Sequence, residues 1–252
     1  MSKRIVGVIP ARWGSTRFPG KSLAPIAGKP LLEWVVERVL RADRLAGVWV
    51  ATDDERIAMV ACRSGASVAM TCEDHPSGTD RVAEAVGSLH ADGVVNIQGD
   101  EPLIDPDLIN QVAAMLADAP EWDMVTACTP LHTAAELHSP DVVKVVRAAN
   151  GAALYFSRAP IPFIRGEGEA FAPQAGCHMR HIGIYGYQRS FLERLVREPP
   201  CLLESMEKLE QLRALYIGAR MYVLEGTDPG GGVDTPEDVA RVEALLGRSR
   251  RD

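Results

Sequence analysis

The stretch IVGVIPARWGSTRFPGKS, residues 5–22, decides how the rest of the chain is read. Its first five residues are a short apolar, β-branched run bounded by Pro10, the pattern of a strand buried on both faces. The segment after that run holds Arg12, Arg17 and Lys21, with hydroxyls and two glycines between them. The end GKS suggests a phosphate-binding P-loop, but that pattern needs glycine at position 15, and Ser15 stands there. The context fails too. A P-loop runs from its Gly-Lys-Ser straight into a helix, whereas Pro25, Gly28 and Pro30 come next here and forbid one. A loop after a strand of a doubly wound sheet lies where ligands bind. Glycines let backbone N–H groups approach an anion, and the cations neutralise it. A solvated basic loop is the plain alternative.

The remaining pattern alternates strand and helix. Strands are expected at 48–52, 67–71, 94–98 and 123–128. Helices are expected at 30–42, 54–65, 79–89 and 106–117, with Pro30 at a first helical position and Thr79 as an N-cap. This predicts an α/β fold, Rossmann-like, with a mostly parallel sheet and helices on both faces. From about residue 140 the pattern changes. VVKVVRAANGAALYFS, 142–157, reads as a hairpin turning at Asn150-Gly151. HIGIYGYQ (181–188) and ARMYVLE (219–225) read as strands, SMEKLEQLRALYIG (205–218) as one amphipathic helix, and TPEDVARVEALLG (235–247) as the last helix. The expectation is a single domain over 1–252 with a hairpin insertion at 140–180. The stretch 165–177 reads as a loop beside it.

Composition limits the partners. The chain has 252 residues, 46% apolar and 24% charged, with a formal net charge of −7. That balance argues against nucleic acid or an acidic membrane as partner. No apolar run approaches the roughly 20 residues of a membrane span, and the apolar segment 5–9 is too short for a signal peptide. Five scattered cysteines, without a paired CxxC, suggest reduced thiols in the cytoplasm and no structural zinc.

Two further stretches carry chemistry. In NIQGDEP, 96–102, Asp100 and Glu101 emerge at a strand end. A carboxylate opposite a basic loop suggests Mg²⁺ bridging protein and phosphate oxygens; a charged turn is the alternative. In GGGVDTPEDVARV, 230–242, Thr235 is expected to cap a helix with its hydroxyl. Asp234 before it could be the second metal carboxylate. His75, His132 and His138 lack partners at metal spacing and read as surface residues.

Taken together, IPARWGSTRFPGKSLAPIAGKPLLEWV (9–35), HPSGTDRVAE (75–84), VVNIQGDEPLI (94–104), HIGIYGY (181–187), EKLEQLRAL (207–215) and GVDTPEDVARV (232–242) resemble the nucleotide-sugar cytidylyltransferases. GDEP, HIGIYGY and EQLRAL most resemble the branch that activates 3-deoxy-manno-octulosonate (Kdo). The resemblance implies the reaction CTP + Kdo → CMP-Kdo + pyrophosphate with Mg²⁺, in lipopolysaccharide biosynthesis, and a homodimer. It implies that Arg12, Arg17 and Lys21 hold the triphosphate, that Ala11 and Ser15 also bind the nucleotide, and that Arg17, Lys21, Asp100 and Asp234 are catalytic. Ser77, Arg81 and Gln98 would contact the nucleoside. Asp100 and Asp234 would hold the metal. His181, Tyr185, Glu210 and Gln211 would take the sugar acid, with Arg158 as partner of its carboxylate. Sialic acid, methylerythritol phosphate or an 8-amino sugar acid are the rival acceptors. A non-catalytic nucleotide-binding regulator and a P-loop kinase are rivals of other classes.

Overall fold

The computed structural model describes residues 3–14, 18–165, 177–228, 230 and 232–249, with side chains to 246. The loop expected at 165–177 lies, except at its two ends, outside the described residues. Strand β1 spans Ile5–Pro10, and its first five residues are buried. A short hairpin, β2 (Pro25–Ile26) and β3 (Lys29–Pro30), replaces the helix a P-loop would have launched. Then come α1 (Leu31–Val39), β4 (Val48–Thr52), α2 (Glu55–Arg63), β5 (Ser67–Met70) and α3 (Gly78–Gly87). The middle of the chain holds β6 (Gly93–Asn96), α4 (Pro106–Asp118), β7 (Met124–Pro130), α5 (Ala134–His138), β8 (Lys144–Arg147) and β9 (Ala153–Ser157). The last part is β10 (Met179–Gln188), α6 (Arg189–Leu195), α7 (Leu202–Glu207), α8 (Gln211–Tyr216), β11 (Met221–Glu225) and α9 (Pro236–Ser249).

Among the described residues nine strands form one sheet, with path β11-β7-β10-β6-β1-β4-β5 and the β8–β9 hairpin set against β10. Strands β6, β1, β4 and β5 are mutually parallel. β10 runs antiparallel between β6 and β7. The chain leaves β1 for β4 and β5, then crosses back to place β6 on the other side of β1. The crevice at that reversal, beyond the carboxyl ends of β1 and β6, is where such sheets bind ligands.

The core explains why the apolar runs are continuous. Ile9, Val95 and Ile97 pack with α1, α2 and α4 on one face. Val6, Val8 and Val94 pack with α3, α6 and α8 on the other. Each fully buried Val or Ile contributes about 1.5–3 kcal/mol relative to exposure, and β1 carries them on both faces because both are covered, apart from Gly7, which Leu45 crowds. The 142–157 hairpin forms as the sequence implies. Gly151 takes φ +85°, the left-handed turn position that favours glycine.

Three local expectations change. Ser77, not Thr79, caps α3: its side chain accepts from the N–H groups of Thr79 and Asp80. Pro30 sits at the N-cap of α1, one residue before the helix. The segment 205–218 is not one helix. It breaks at Lys208, which takes a left-handed conformation (φ 55°) between α7 and α8.

Candidate active site

A cleft of about 270 Å³ opens at the reversal between β1 and β6. Among the predicted residues Ala11, Arg12, Lys21, Ser77, Arg81, Gln98, Asp100 and Asp234 line it. They arrive from five places in the chain: the end of β1, the turn at Lys21, the start of α3, the end of β6 and the approach to α9. Ser15 and Arg17 lie outside the described residues.

Lys21 is the electrostatic centre. It sits on a 3-10 turn, Lys21–Leu23, entered through Gly20 with φ +70°. Its Nζ lies 2.5 Å from Asp100 Oδ2 and 3.4 Å from Asp234 Oδ1. Two carboxylates from distant segments thus converge on one cation. Asp234 is brought there because its neighbour Val233 is buried and donates its N–H to the Asp100 carbonyl at 2.9 Å.

The start of α9 differs from expectation. Thr235 does not cap by accepting. Its hydroxyl donates to Asp238 Oδ2, which also accepts from the N–H groups of Asp234 and Thr235. Burial works against ionisation of Asp238, but these N–H groups and the Arg241 guanidinium hold it down at about 2.

Glu101 is turned inward. Burial, reinforced by Asp100, Asp228 and Asp234, pushes its carboxyl up to about 8. Arg180 reaches Asp228 at 2.7 Å and offsets part of this acidic cluster.

The side of the cleft expected to take the nucleoside is held by α3. Arg81 is 2% exposed. Its Nη1 donates to Thr71 Oγ1 at 2.5 Å and pairs with Asp53 Oδ1 at 3.0 Å. The guanidinium therefore fixes the loop 71–77 as well as lining the cleft. Ser77 Oγ donates to Asp80 Oδ2 at 2.7 Å while it caps the helix. Gln98 Nε2 donates to Asn96 Oδ1 at 3.4 Å.

His75, read as a surface residue, lines the cleft instead. Its Nε2 contacts Glu84 Oε2, and the same oxygen accepts the Cys72 N–H at 2.9 Å. The histidine has a partner nine residues away, on a helix, which metal-type spacing could not reveal. The signal available was its place in HPSGTDR, two residues before Ser77.

A second cluster adjoins at the start of β10, where Gly183 faces Gln98. His181 and Tyr185 share a face with ring centroids 5.4 Å apart. His181 Nε2 meets Thr126 Oγ1 at 2.8 Å, and burial pushes its imidazole down to about 3. The ring is thus neutral at pH 7, a hydrogen-bonding group rather than a cation. Burial, and then the charge of Glu210, raise the Tyr185 hydroxyl well above its ordinary value. Gln211 is 5% exposed at the first turn of α8.

Arg158 does not join them. Its Nε donates to the Glu207 carbonyl and its Nη1 to the Pro140 carbonyl, each at 2.7 Å. It ties the hairpin to the break between α7 and α8; like His181, Tyr185, Glu210 and Gln211, it is not among the residues lining the cleft.

Comparison with known proteins identifies the family. The family model for cytidylyltransferases matches residues 6–221. A 3-deoxy-manno-octulosonate cytidylyltransferase of Bdellovibrio bacteriovorus is 48% identical over 96% of this chain and 98% of its own. Another from Pseudomonas syringae is 49% identical over 98% of this chain and 99% of its own. A solved CMP:2-keto-3-deoxy-manno-octonic acid synthetase, complexed with CTP, superposes with a TM-score of 0.91 at 41% identity, covering 98% of this chain and 99% of that one. A 4-diphosphocytidyl-2C-methyl-D-erythritol synthase from Anaerococcus prevotii shares the fold, with a TM-score of 0.64 at 14% identity. The chain belongs to the cytidylyltransferase family, as a nucleotidyltransferase of the 3-deoxy-manno-octulosonate cytidylyltransferase group.

Proposed function

We propose that the chain transfers CMP from CTP to the anomeric hydroxyl of Kdo, releasing pyrophosphate, as a step toward lipopolysaccharide. The observation that carries this is the convergence of Lys21, Asp100 and Asp234 at the mouth of a cleft lined by Arg12. In-line attack on the α-phosphorus spreads charge over phosphate oxygens and the leaving group. Placement and electrostatics therefore supply most of the acceleration. Arg12 and Lys21 would hold the triphosphate. Ser77, Arg81 and Gln98 would bound the pyrimidine and ribose. His181, Tyr185, Glu210 and Gln211 would bind sugar hydroxyls through uncharged and anionic hydrogen-bonding groups.

The donor set suits Mg²⁺. Among the described residues no cluster of three or more protein ligands exists, but two hard carboxylates already share one cation. Mg²⁺ typically takes one or two carboxylates and completes its shell with phosphate oxygens and water. Asp100 and Asp234 would hold it, and bound there it would neutralise triphosphate charge and acidify the sugar hydroxyl.

The test is pyrophosphate release from CTP with Mg²⁺ across Kdo, 8-amino-Kdo, sialic acid and methylerythritol phosphate. Kdo should be the best acceptor, and replacing CTP by ATP or GTP should abolish most turnover. Release with another acceptor but not with Kdo would overturn the reading.

We further infer a homodimer through the 142–163 region. The hairpin buries Val145 and Phe156 against its own sheet, but leaves Leu154 61% and Phe163 87% exposed. On the nearby α7, Leu202 and Met206 are also exposed. Large apolar side chains exposed on these two segments call for a cover, and a second copy would supply it. Light scattering at micromolar protein should give twice the chain mass; a monomer mass would count against it. No helix among the described residues is long and apolar enough to cross a membrane, and all five cysteines are free thiols. Both features suit a reaction in the cytoplasm.

A further inference from the structure

Arg12 and Lys21 are placed by their immediate neighbours, Trp13 and Gly20. The Gly20 N–H donates to the Trp13 carbonyl at 3.1 Å, closing the loop at its neck. The Trp13 ring lies against Gly20 so closely that a Cβ there would come within 2.8 Å of it. The same ring carries the Arg56 guanidinium 3.5 Å from its centroid. Arg56 is itself oriented: it donates to both carboxylate oxygens of Asp54, at 3.1 and 2.6 Å. Asp54 in turn caps α2, accepting from the N–H groups of Arg56 and Ile57. The neck of the nucleotide loop is thus fastened to the helix that follows the neighbouring strand, β4. Packing alone does not demand this, since Trp13 is 38% exposed.

We propose that Trp13, stacked on Arg56, is a positioning residue that sets the spacing of Arg12 and Lys21 for the triphosphate. The stack acts before the nucleotide arrives: it prepays part of the cost of ordering the loop, and so appears in CTP affinity. Once CTP is bound, its own phosphate contacts hold the loop, so the chemical step proceeds nearly unchanged. This rests on the reading that Arg12 and Lys21 bind the triphosphate.

Calorimetric CTP binding with Mg²⁺, alongside turnover at saturating CTP and Kdo, tests it. Trp13→Ala should weaken CTP binding about tenfold with kcat within about twofold of wild type. Trp13→Phe should restore most of the affinity, because it keeps an aromatic face for Arg56. Arg56→Ala should weaken binding about two- to fivefold, the range of an exposed cation–π contact. The double variant should be no weaker than Trp13→Ala alone. A merely structural role would instead lower the melting temperature and kcat without moving the affinity of the folded fraction. Wild-type CTP affinity in Trp13→Ala, or additive losses in the double variant, overturns the proposal. Lys21→Ala separates the two readings. If Lys21→Ala keeps both wild-type CTP affinity and wild-type turnover, the triphosphate assignment fails, and the role given to the stack fails with it. If Lys21→Ala is impaired while Trp13→Ala binds CTP as the wild type does, the stack alone is removed.

Discussion

Lys21→Ala is expected to lower pyrophosphate release about a hundredfold, the usual cost of removing one preorganised electrostatic contact to a transition state. The geometry explains why the loss should be in rate. Lys21 Nζ is the group on which Asp100 and Asp234 converge, at 2.5 and 3.4 Å. Without it, two carboxylates face an incoming triphosphate with one fewer positive charge between them. Charge that builds on the leaving pyrophosphate then loses its counterion where attraction matters most. The effect on stability should be small. The side chains of Lys21 and Asp100 are 16% and 29% exposed, and partly solvated pairs of this kind contribute only about 1 kcal/mol or less. Lys21→Arg should recover part of the rate, since it restores charge but not the compact ammonium. Turnover of Lys21→Ala near the wild-type value, with CTP and Kdo saturating, would assign Lys21 to the scaffold.

The parts of the fold that were legible in sequence are those fixed by local pattern. IVGVI is a continuous apolar run and VVNIQ a mainly apolar one because β1 and β6 are covered on both faces, and Asn150-Gly151 carries its turn geometry in its own residues. The helix break at Lys208 was not legible. Met206, Leu209 and Leu212 keep helical spacing across it, and no glycine or proline marks it. It is set from outside, by Arg158 reaching the Glu207 carbonyl and by Arg213 holding Glu204 at 2.9 Å. Arg158 shows the same limit in reverse: a basic residue near a sugar-acid cluster suggests a ligand for its carboxylate, but backbone carbonyls from two distant segments occupy it. The cap at Ser77 was legible and outweighed by its neighbour. Ser77 stands three before Asp80, the spacing of a capping box, and the two side chains do bond at 2.7 Å. His75 and the burial of Glu101 depend on partners brought together only by the finished sheet.

Asp234→Asn should leave the protein folded and slow it by on the order of a hundredfold, with the Mg²⁺ requirement displaced to higher concentration. The helix start does not need the Asp234 carboxylate. Asp238 Oδ2 already accepts from the Asp234 and Thr235 N–H groups, at 3.0 and 2.9 Å, and those bonds survive the substitution. What the Asp234 side chain adds at α9 is a helix-dipole contribution of about 0.3–1 kcal/mol. Its side chain is 53% exposed, so the loss of its pairing with Lys21 adds little more. The melting curve should therefore shift by the equivalent of about 1 kcal/mol at most. Activity should respond differently. The amide keeps size and one oxygen but removes the charge that, with Asp100, would make a site for a hard divalent cation. Asp100→Asn should be the more damaging of the two, because Asp100 lies closer to Lys21 and deeper in the cleft. Pyrophosphate release measured across a Mg²⁺ series separates the roles. A variant that melts early, yet turns over CTP with the wild-type Mg²⁺ dependence when folded, would return Asp234 to the helix start and leave Asp100 as the single protein carboxylate on the metal.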